Sequence, residues 1–313
     1  MQDIFPWENN NLGGTEVATK WFHKNVLPEI KNLHNYRCIS IPGRPHSLED
    51  VFNKEKKNIL WLHLTPNQVD DNGLGILKNE EFKETIHKVV VLSNFHKKRT
   101  AIELGIDPDN IHVIEYPIDL IPFNESKFEN VTRPKIIHAS QASRGLDILL
   151  QAVYNMDEDF DLEIYNDFYP EQQPENPALD ELLKDERITF YGKTPRNTFL
   201  KKLSESHIHA YPSIFDETSC LVQAEAMISG NLCVYSNVGV LPETSMGHGV
   251  VVDFLSTKSS SELLKRYKES FIKSLEIVKN GEFNPSEQIK DIYEKRNAEK
   301  IISKWVDFDN SLE

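Results

Sequence analysis

Between His207 and Glu243 the chain has little freedom of fold. HIHAY (207–211) is an apolar run of strand length, Pro212, Ser213 and Asp216 interrupt it, and a helix is expected to start near Thr218 or Ser219. Gly230 supplies the helix stop, NLCVYS reads as the next strand, and Gly239, Pro242 and Glu243 form a further turn. Strand, helix and strand in so short a span describe a crossover between parallel neighbours in one sheet. Two carboxylates stand in this unit, Glu217 where the first strand ends and Glu225 about two turns further along. The open amides of the helix start, around Ser219, Cys220 and Leu221, turn their positive end towards an anion such as a diphosphate. Glu225 is placed to accept two hydrogen bonds from a ribose diol, and Glu217 to meet hydroxyls of a transferred sugar. Taken alone, the same residues also read as two surface glutamates beside a core helix.

The alternation extends along the chain. NILWLHL (58–64), KVVVLS (88–93) and IHVIEY (111–116) are strand-length apolar runs, with a helix ending at Gly105 between the last two. KIIHAS (135–140), DLEIYN (161–166) and RITFYG (187–192) continue the pattern, with helices LDILLQAVYN and TPRNTFLKKLSES between later strands. Strand and helix in alternation specify a doubly wound α/β architecture. NESKFENVTRP (124–134) is polar and ends in proline, which suits a linker between two domains. The organisation expected is 1–128, 129–284 and a C-terminal helical stretch from 285 to 313, with helices near 259–279 and 285–307. A length of 313 residues with 39% hydrophobic content supports two cores, and no run approaches a membrane span. The first residues lack a basic-then-apolar leader, and Cys38, Cys220 and Cys233 form no metal-ligand or disulfide framework. A cytoplasmic location is the expectation. The net charge of −14 opposes broad attraction to DNA or to an anionic lipid surface.

Pro212, Ser213, Glu217, Glu225, Ala226, Met227, Gly230, Gly239, Pro242 and Glu243 stand in a collinear pattern that resembles the retaining family-four glycosyltransferases (glycosyl transferases group 1). One departure is local: where that family has Gly-Phe-Gly after the first glutamate, this chain has Thr218, Ser219 and Cys220, less permissive of positive φ. The resemblance implies the GT-B fold, two Rossmann-like doubly wound parallel-sheet domains facing across a cleft, with the C-terminal helix returning to the first domain. It also implies a nucleoside-diphosphate sugar donor held mainly by the second domain, and contacts from Gly192, Lys193, Thr218, Ser219, Cys220 and Leu221.

Three further sites gain meaning from that likeness. SQASRGLDILLQA (140–152) places Arg144 and Gly145 before an apolar helix, where a cation opposes the helix dipole and so suits a bound anion; a surface arginine is the alternative. Arg144 matches the family's lysine, while its upstream arginine has no counterpart at Ala139 and Ser140. Gly13 and Gly14 precede an apolar-periodic helix at the position of the family's glycine loop, although the residues before them leave hardly any room for a first strand. His63, at the end of ILWLHLTP, resembles the histidine that faces the donor sugar; a core or rim histidine is the other reading.

A metal is not expected. Asp107/Asp109, Asp157/Asp159, Asp159/Asp161 and Asp307/Asp309 lie in polar turns or the tail, where turn chemistry is the default, and His207 and His209 lack a third ligand. The catalytic expectation is therefore Glu217, Arg144 and His63, in a retaining, metal-independent transfer of a hexose-type sugar from a UDP-, GDP- or ADP-sugar, with no cofactor. The acceptor is left open among a saccharide, a lipid-linked sugar, a small molecule and a modified DNA base. A sugar-nucleotide epimerase and a non-catalytic sugar-nucleotide-binding module are the alternatives on the same fold.

Overall fold

The computed structural model describes residues 14–41, 57–70, 77, 79–154, 156–165 and 181–312. The chain divides into two compact units, Met1–Pro117 with Arg296–Glu313, and Ile118–Lys295.

The first unit is built on four parallel strands, β1 (Arg37–Ile41), β2 (Asn58–Leu62), β3 (Ile86–Val91) and β4 (Ile111–Val113), in the order β1-β2-β3-β4. Side-chain alternation gives β2 two apolar faces. Leu60 and Leu62 join Val89, Val91, Phe82 and Leu104 in one core. Trp61 turns the other way, with its ring 5.3 Å from Phe22 and 5.1 Å from Trp305. Phe22 belongs to the helix Gly14–Asn25 and Trp305 to the helix Ala298–Asn310, so the end of the chain completes this layer. Asp309 fixes it there: its buried carboxylate accepts the amides of Lys31 (2.8 Å), Asn32 (3.0 Å) and Leu33 (2.6 Å). The expectation of turn chemistry for the Asp307/Asp309 pair is corrected here, because Asp309 is an internal acceptor between distant segments.

The second unit carries six parallel strands, β5 (Lys135–Ala139), β6 (Asp161–Tyr165), β7 (Ile188–Phe190), β8 (Ile208–Tyr211), β9 (Leu232–Ser236) and β10 (Val250–Val252). Their order is β10-β9-β8-β5-β6-β7. The chain winds outward from β5 through β6 and β7, then returns and winds the other way from β8. The topological switch point, where open α/β sheets place their ligands, thus lies between β5 and β8 at their carboxyl ends. Ile136, Leu162, Ile208 and Val234 meet Leu149 and Phe271 in the core beneath it.

Several expected boundaries shift for identifiable reasons. The division falls at Pro117 rather than 128. Residues 118–128 are held within the second unit: Lys127 Nζ donates to the carbonyls of Ser204 (3.3 Å) and Ser229 (2.8 Å), and Gly230 abuts the Phe123 ring. The helix expected over 285–307 is two, Ser286–Arg296 and Ala298–Asn310, separated by Asn297, whose side chain caps the second by accepting from Lys300 N at 2.8 Å. The Gln288 amide donates to the carbonyls of Met227 and Asn231, which ties the first of these helices to the second unit. Pro242 and Glu243 lie in a short helix, Leu241–Ser245, rather than a simple turn.

Candidate functional site

The switch point is organised around a tyrosine. Tyr211 closes β8, is fully buried, and donates its hydroxyl to Glu217 Oε1 at 2.7 Å. Burial, then the neighbouring Glu217, pushes its pKa well above the phenolic range, so the proton stays in place for that bond. Ser140, just past β5, lies 3.0 Å from the same hydroxyl and, with the tyrosine proton committed, is the donor there. The two strands flanking the switch are joined through this chain of hydroxyls.

Arg144 converges on the same carboxylate. It ends a short 3₁₀ turn, Ala142–Arg144, and its Nη1 donates to Glu217 Oε1. The guanidinium lies over Phe215, Cζ 3.4 Å from the ring centroid, a cation–π contact that helps hold it in place. The anion that offsets this cation at a helix start is thus a protein carboxylate in this structure, and among the described residues the other guanidinium nitrogens have no hydrogen-bond partner. The turn depends on Gly145, at φ +95°: a Cβ there would sit 2.1 Å from the Pro212 carbonyl, so the β5 loop closes directly onto the β8 loop.

Glu217 itself is held by its backbone. Its amide bonds the Phe215 carbonyl at 2.8 Å, and its carbonyl accepts Val240 N at 2.9 Å. Gly239, at φ +60°, packs so closely that a Cβ would lie 2.7 Å from Glu217 N and 2.9 Å from Glu217 O. The motif glycine after β9 is therefore the seat for the motif glutamate after β8.

The next helix begins later than the sequence suggests. It spans Leu221–Ile228, because Thr218 and Ser219 are buried in the loop and Ser219 O accepts from Thr244 Oγ1 at 3.2 Å. Cys220 is its N-cap residue at φ +46° and ψ +70°, with no side-chain cap bond. The left-handed conformation is retained without a glycine, at a cost of about 1–2 kcal/mol.

Glu225 lies in that helix with 4% of its side chain exposed, and Arg196 Nη2 donates to its Oε1. Burial raises the Glu225 pKa, Arg196 opposes the rise, and Asp119 adds to it. Arg196 was not among the expected residues. The signal was present: it follows Pro195 as the first residue of the helix Arg196–Glu205, again a cation against a helix dipole. Tyr211 and Phe215 were likewise missed as individual contributors. Gly192 takes φ +62° just after β7 and Lys193 is exposed beside it.

In the first unit, His63 is 3% exposed and its Nδ1 lies 2.5 Å from the Tyr116 hydroxyl. Burial, helped by His96, lowers its pKa to about 3, so its imidazole is neutral at pH 7. Gly14 opens the helix Gly14–Asn25 and is exposed; Gly13 lies outside the described residues. His207 accepts Lys135 N through Nδ1 at 2.7 Å, while its Nε2 lies 2.7 Å from Lys127 O, a structural role. Asp107 accepts from Asp109 N, and Asp159 and Asp161 pair with Arg133. Among the described residues no cluster of three or more His, Cys, Asp or Glu could hold a metal, and no helix is long and apolar enough to cross a membrane.

Comparison with known proteins identifies a family segment and a fold. Residues 133–267 match the family described as Glycosyl transferases group 1. No curated protein sequence matches the chain. Among solved structures, Anabaena HepE in complex with UDP-glucose aligns with a TM-score of 0.67 at 15% identity, covering 91% of this chain and 82% of HepE. A glycosyltransferase from Rickettsia africae aligns at 0.62 and 17% identity, covering 97% and 83%. The pneumococcal O-GlcNAc transferase GtfA, in complex with UDP and GlcNAc, aligns at 0.66 and 14% identity, with 89% of this chain and 58% of GtfA covered. The fold is GT-B.

Proposed function

From a group 1 glycosyl transferase segment on a GT-B fold, we propose that this chain transfers a hexose-type sugar from a nucleoside-diphosphate sugar to an acceptor hydroxyl, with retention at the anomeric carbon and no requirement for a metal. The observation that carries this reading is the convergence of Arg144, Tyr211 and Glu217 at the switch point of the second sheet, inside the segment that matches the family. HepE and GtfA were solved with UDP ligands, which favours a UDP-sugar as the first donor to test.

In the proposed reaction the bond from the anomeric carbon to the donor phosphate oxygen breaks, and the nucleoside diphosphate leaves with the electron pair. The acceptor oxygen bonds to the anomeric carbon on the same face, and its proton passes to the departing phosphate. Negative charge grows on the diphosphate, and the Arg144 guanidinium and the amides at the start of the Leu221–Ile228 helix are the groups that meet it. Glu217 Oε2, which has no hydrogen-bond partner among the described residues, is the oxygen assigned to the transferred sugar. Glu225 takes the ribose, and His63 of the first unit is a neutral hydrogen-bonding group rather than a charged acid. A cytoplasmic location belongs to the same proposal; Cys220 and Cys233 form no disulfide among the described residues.

The test is transfer from UDP-, GDP- and ADP-sugars to a panel of saccharide, lipid-linked, small-molecule and modified-DNA acceptors in excess chelator, with the product's anomeric centre read by NMR. A retained product formed in chelator supports the reading. An inverted product, or activity restored only by magnesium or manganese, contradicts it, and turnover without an acceptor points to an epimerase.

A further inference from the structure

Glu225 and Arg196 form a pair whose exposures differ sharply. The glutamate side chain is 4% exposed and the arginine 40%. The arginine binds only one carboxylate oxygen: Nη2 donates to Oε1, while Oε2 has no hydrogen-bond partner among the described residues. A buried carboxylate deprived of its cation takes up a proton, since burial penalises the charged form. A protonated carboxyl has lost the charge that strengthens acceptance from a vicinal diol.

We propose that Arg196 is a positioning residue for the donor ribose, holding Glu225 ionised and turned so that Oε2 is presented to the 2′- and 3′-hydroxyls. This rests on the reading of Glu225 as the ribose ligand and adds a residue whose role is exerted through Glu225. Its place supports the assignment. Arg196 is the first residue of its helix, after Pro195, where a positive charge opposes the helix dipole, and Glu225 supplies the compensating anion. The charged groups acting on Glu225 are Arg196, from that helix, and Asp119, from the segment that opens the second unit. Asp119 disfavours the ionised form and burial does so more strongly, so Arg196 is the group that opposes protonation. A lysine there keeps the charge but loses the planar guanidinium whose Nη2 donates to Oε1.

The experiment measures calorimetric affinity of wild type, Arg196→Gln and Arg196→Lys for UDP and for 2′,3′-dideoxy-UDP between pH 5.5 and 8.5, with Tm recorded alongside. Wild type is expected to prefer UDP over the dideoxy compound by a ratio that is flat across this range. Arg196→Gln is expected to lose that preference at least tenfold at pH 6 and to recover much of it by pH 8.5, as Glu225 ionises without help. Arg196→Lys should keep a flat profile at a reduced preference. A helix staple alone would lower Tm and leave the UDP to dideoxy-UDP ratio unmoved at every pH, which overturns the proposal. Should Arg196→Gln fail to fold, the wild-type ratio still decides: a fall between pH 8.5 and 5.5 shows Glu225 titrating despite Arg196 and overturns the proposal as well. Wild type that binds UDP with no preference over the dideoxy compound refutes the ribose role of Glu225, a failure distinct from that of Arg196. Wild type that binds neither UDP nor GDP or ADP refutes the donor reading itself.

Discussion

Arg144 and Tyr211 donate to the same oxygen of Glu217, the arginine through Nη1 and the tyrosine hydroxyl at 2.7 Å. Two donors on Oε1 fix the carboxylate's rotation and leave Oε2 as its outward acceptor. The arginine comes from the loop after β5, the tyrosine from the end of β8 and the glutamate from the loop beyond it, so the sheet's change of winding direction assembles the group. Residues separated by 73 positions in sequence are neighbours because β5 and β8 are neighbours.

Glu217→Ala is expected to reduce transfer more than it weakens binding of the free nucleoside diphosphate, which carries no sugar for Glu217 to hold. Arg144→Ala should lower turnover at saturating donor by about a hundredfold, in line with the loss of one donor to a developing anion. Because the two share a bond, the double variant should fall well short of the product of the single losses. Multiplicative losses, read by steady-state kinetics beside calorimetric affinity, would show that the pair does not act as a unit.

Gly239→Ala is expected to impair activity without touching any ligand. Its Cβ meets the Glu217 backbone at 2.7 Å and its φ of +60° is left-handed, so either Glu217 moves or the turn after β9 opens. A loss of roughly 1–3 kcal/mol in stability and a clear drop in kcat are expected. Gly281→Ala is the control, since it shares a positive φ, +67°, with nothing within 4 Å. If both variants kept full activity, the seating role of Gly239 would be wrong.

The legible parts of this fold were those whose pattern is local. The helix Asn94–Leu104 could be stopped at Gly105, which indeed takes φ +66°, and β5, β6 and β8 could be placed because each is a short apolar run bounded by breakers. RCISI, which forms β1, has no such contrast, and VVV of β10 lies between glycine-rich and acidic segments too short to frame it. Glu217 and Arg144 were legible as separate residues but not as a bonded pair, because neither spacing nor composition states which strands adjoin. Arg196 was hidden for the same reason, although its position after Pro195 carried the same helix-dipole signal as Arg144. Cys220 shows the converse: the sequence lost a glycine, yet the backbone kept the left-handed turn, since the surrounding loop and the Leu241–Ser245 helix determine it.

Asp309→Ala should loosen the C-terminal helix from the first unit. Three amides, Lys31, Asn32 and Leu33, would lose one charged acceptor, and an expected cost of about 3 kcal/mol follows from charge-assisted bonds removed at a buried site. Hydrogen exchange is the suitable measurement. Protection should fall at residues 31–33 and along Ala298–Asn310 while β5 to β10 stay unchanged; undiminished protection at 31–33 would show that packing of Phe22 and Trp305 suffices.

Acid sensitivity is expected from buried histidines in both units. Burial holds His63, His96 and His209 at about 3 and His138 at about 4, all below the ordinary 6.5. Between about pH 4 and 6.5 the unfolded chain therefore binds protons that the folded chain refuses, so stability is full above 6.5 and declines as pH falls through that window. Each such group contributes at most about 1.4 kcal/mol per pH unit. His209 offers a clean test because neither ring nitrogen has a hydrogen-bond partner among the described residues, while its ring stacks on Tyr211 at 5.5 Å and 20°. His209→Phe keeps an aromatic ring on Tyr211 and removes the titration. The Tm of this variant should fall less than that of wild type between pH 7 and 5; parallel curves would mean that His209 is protonated in the fold or that its burial is relieved there.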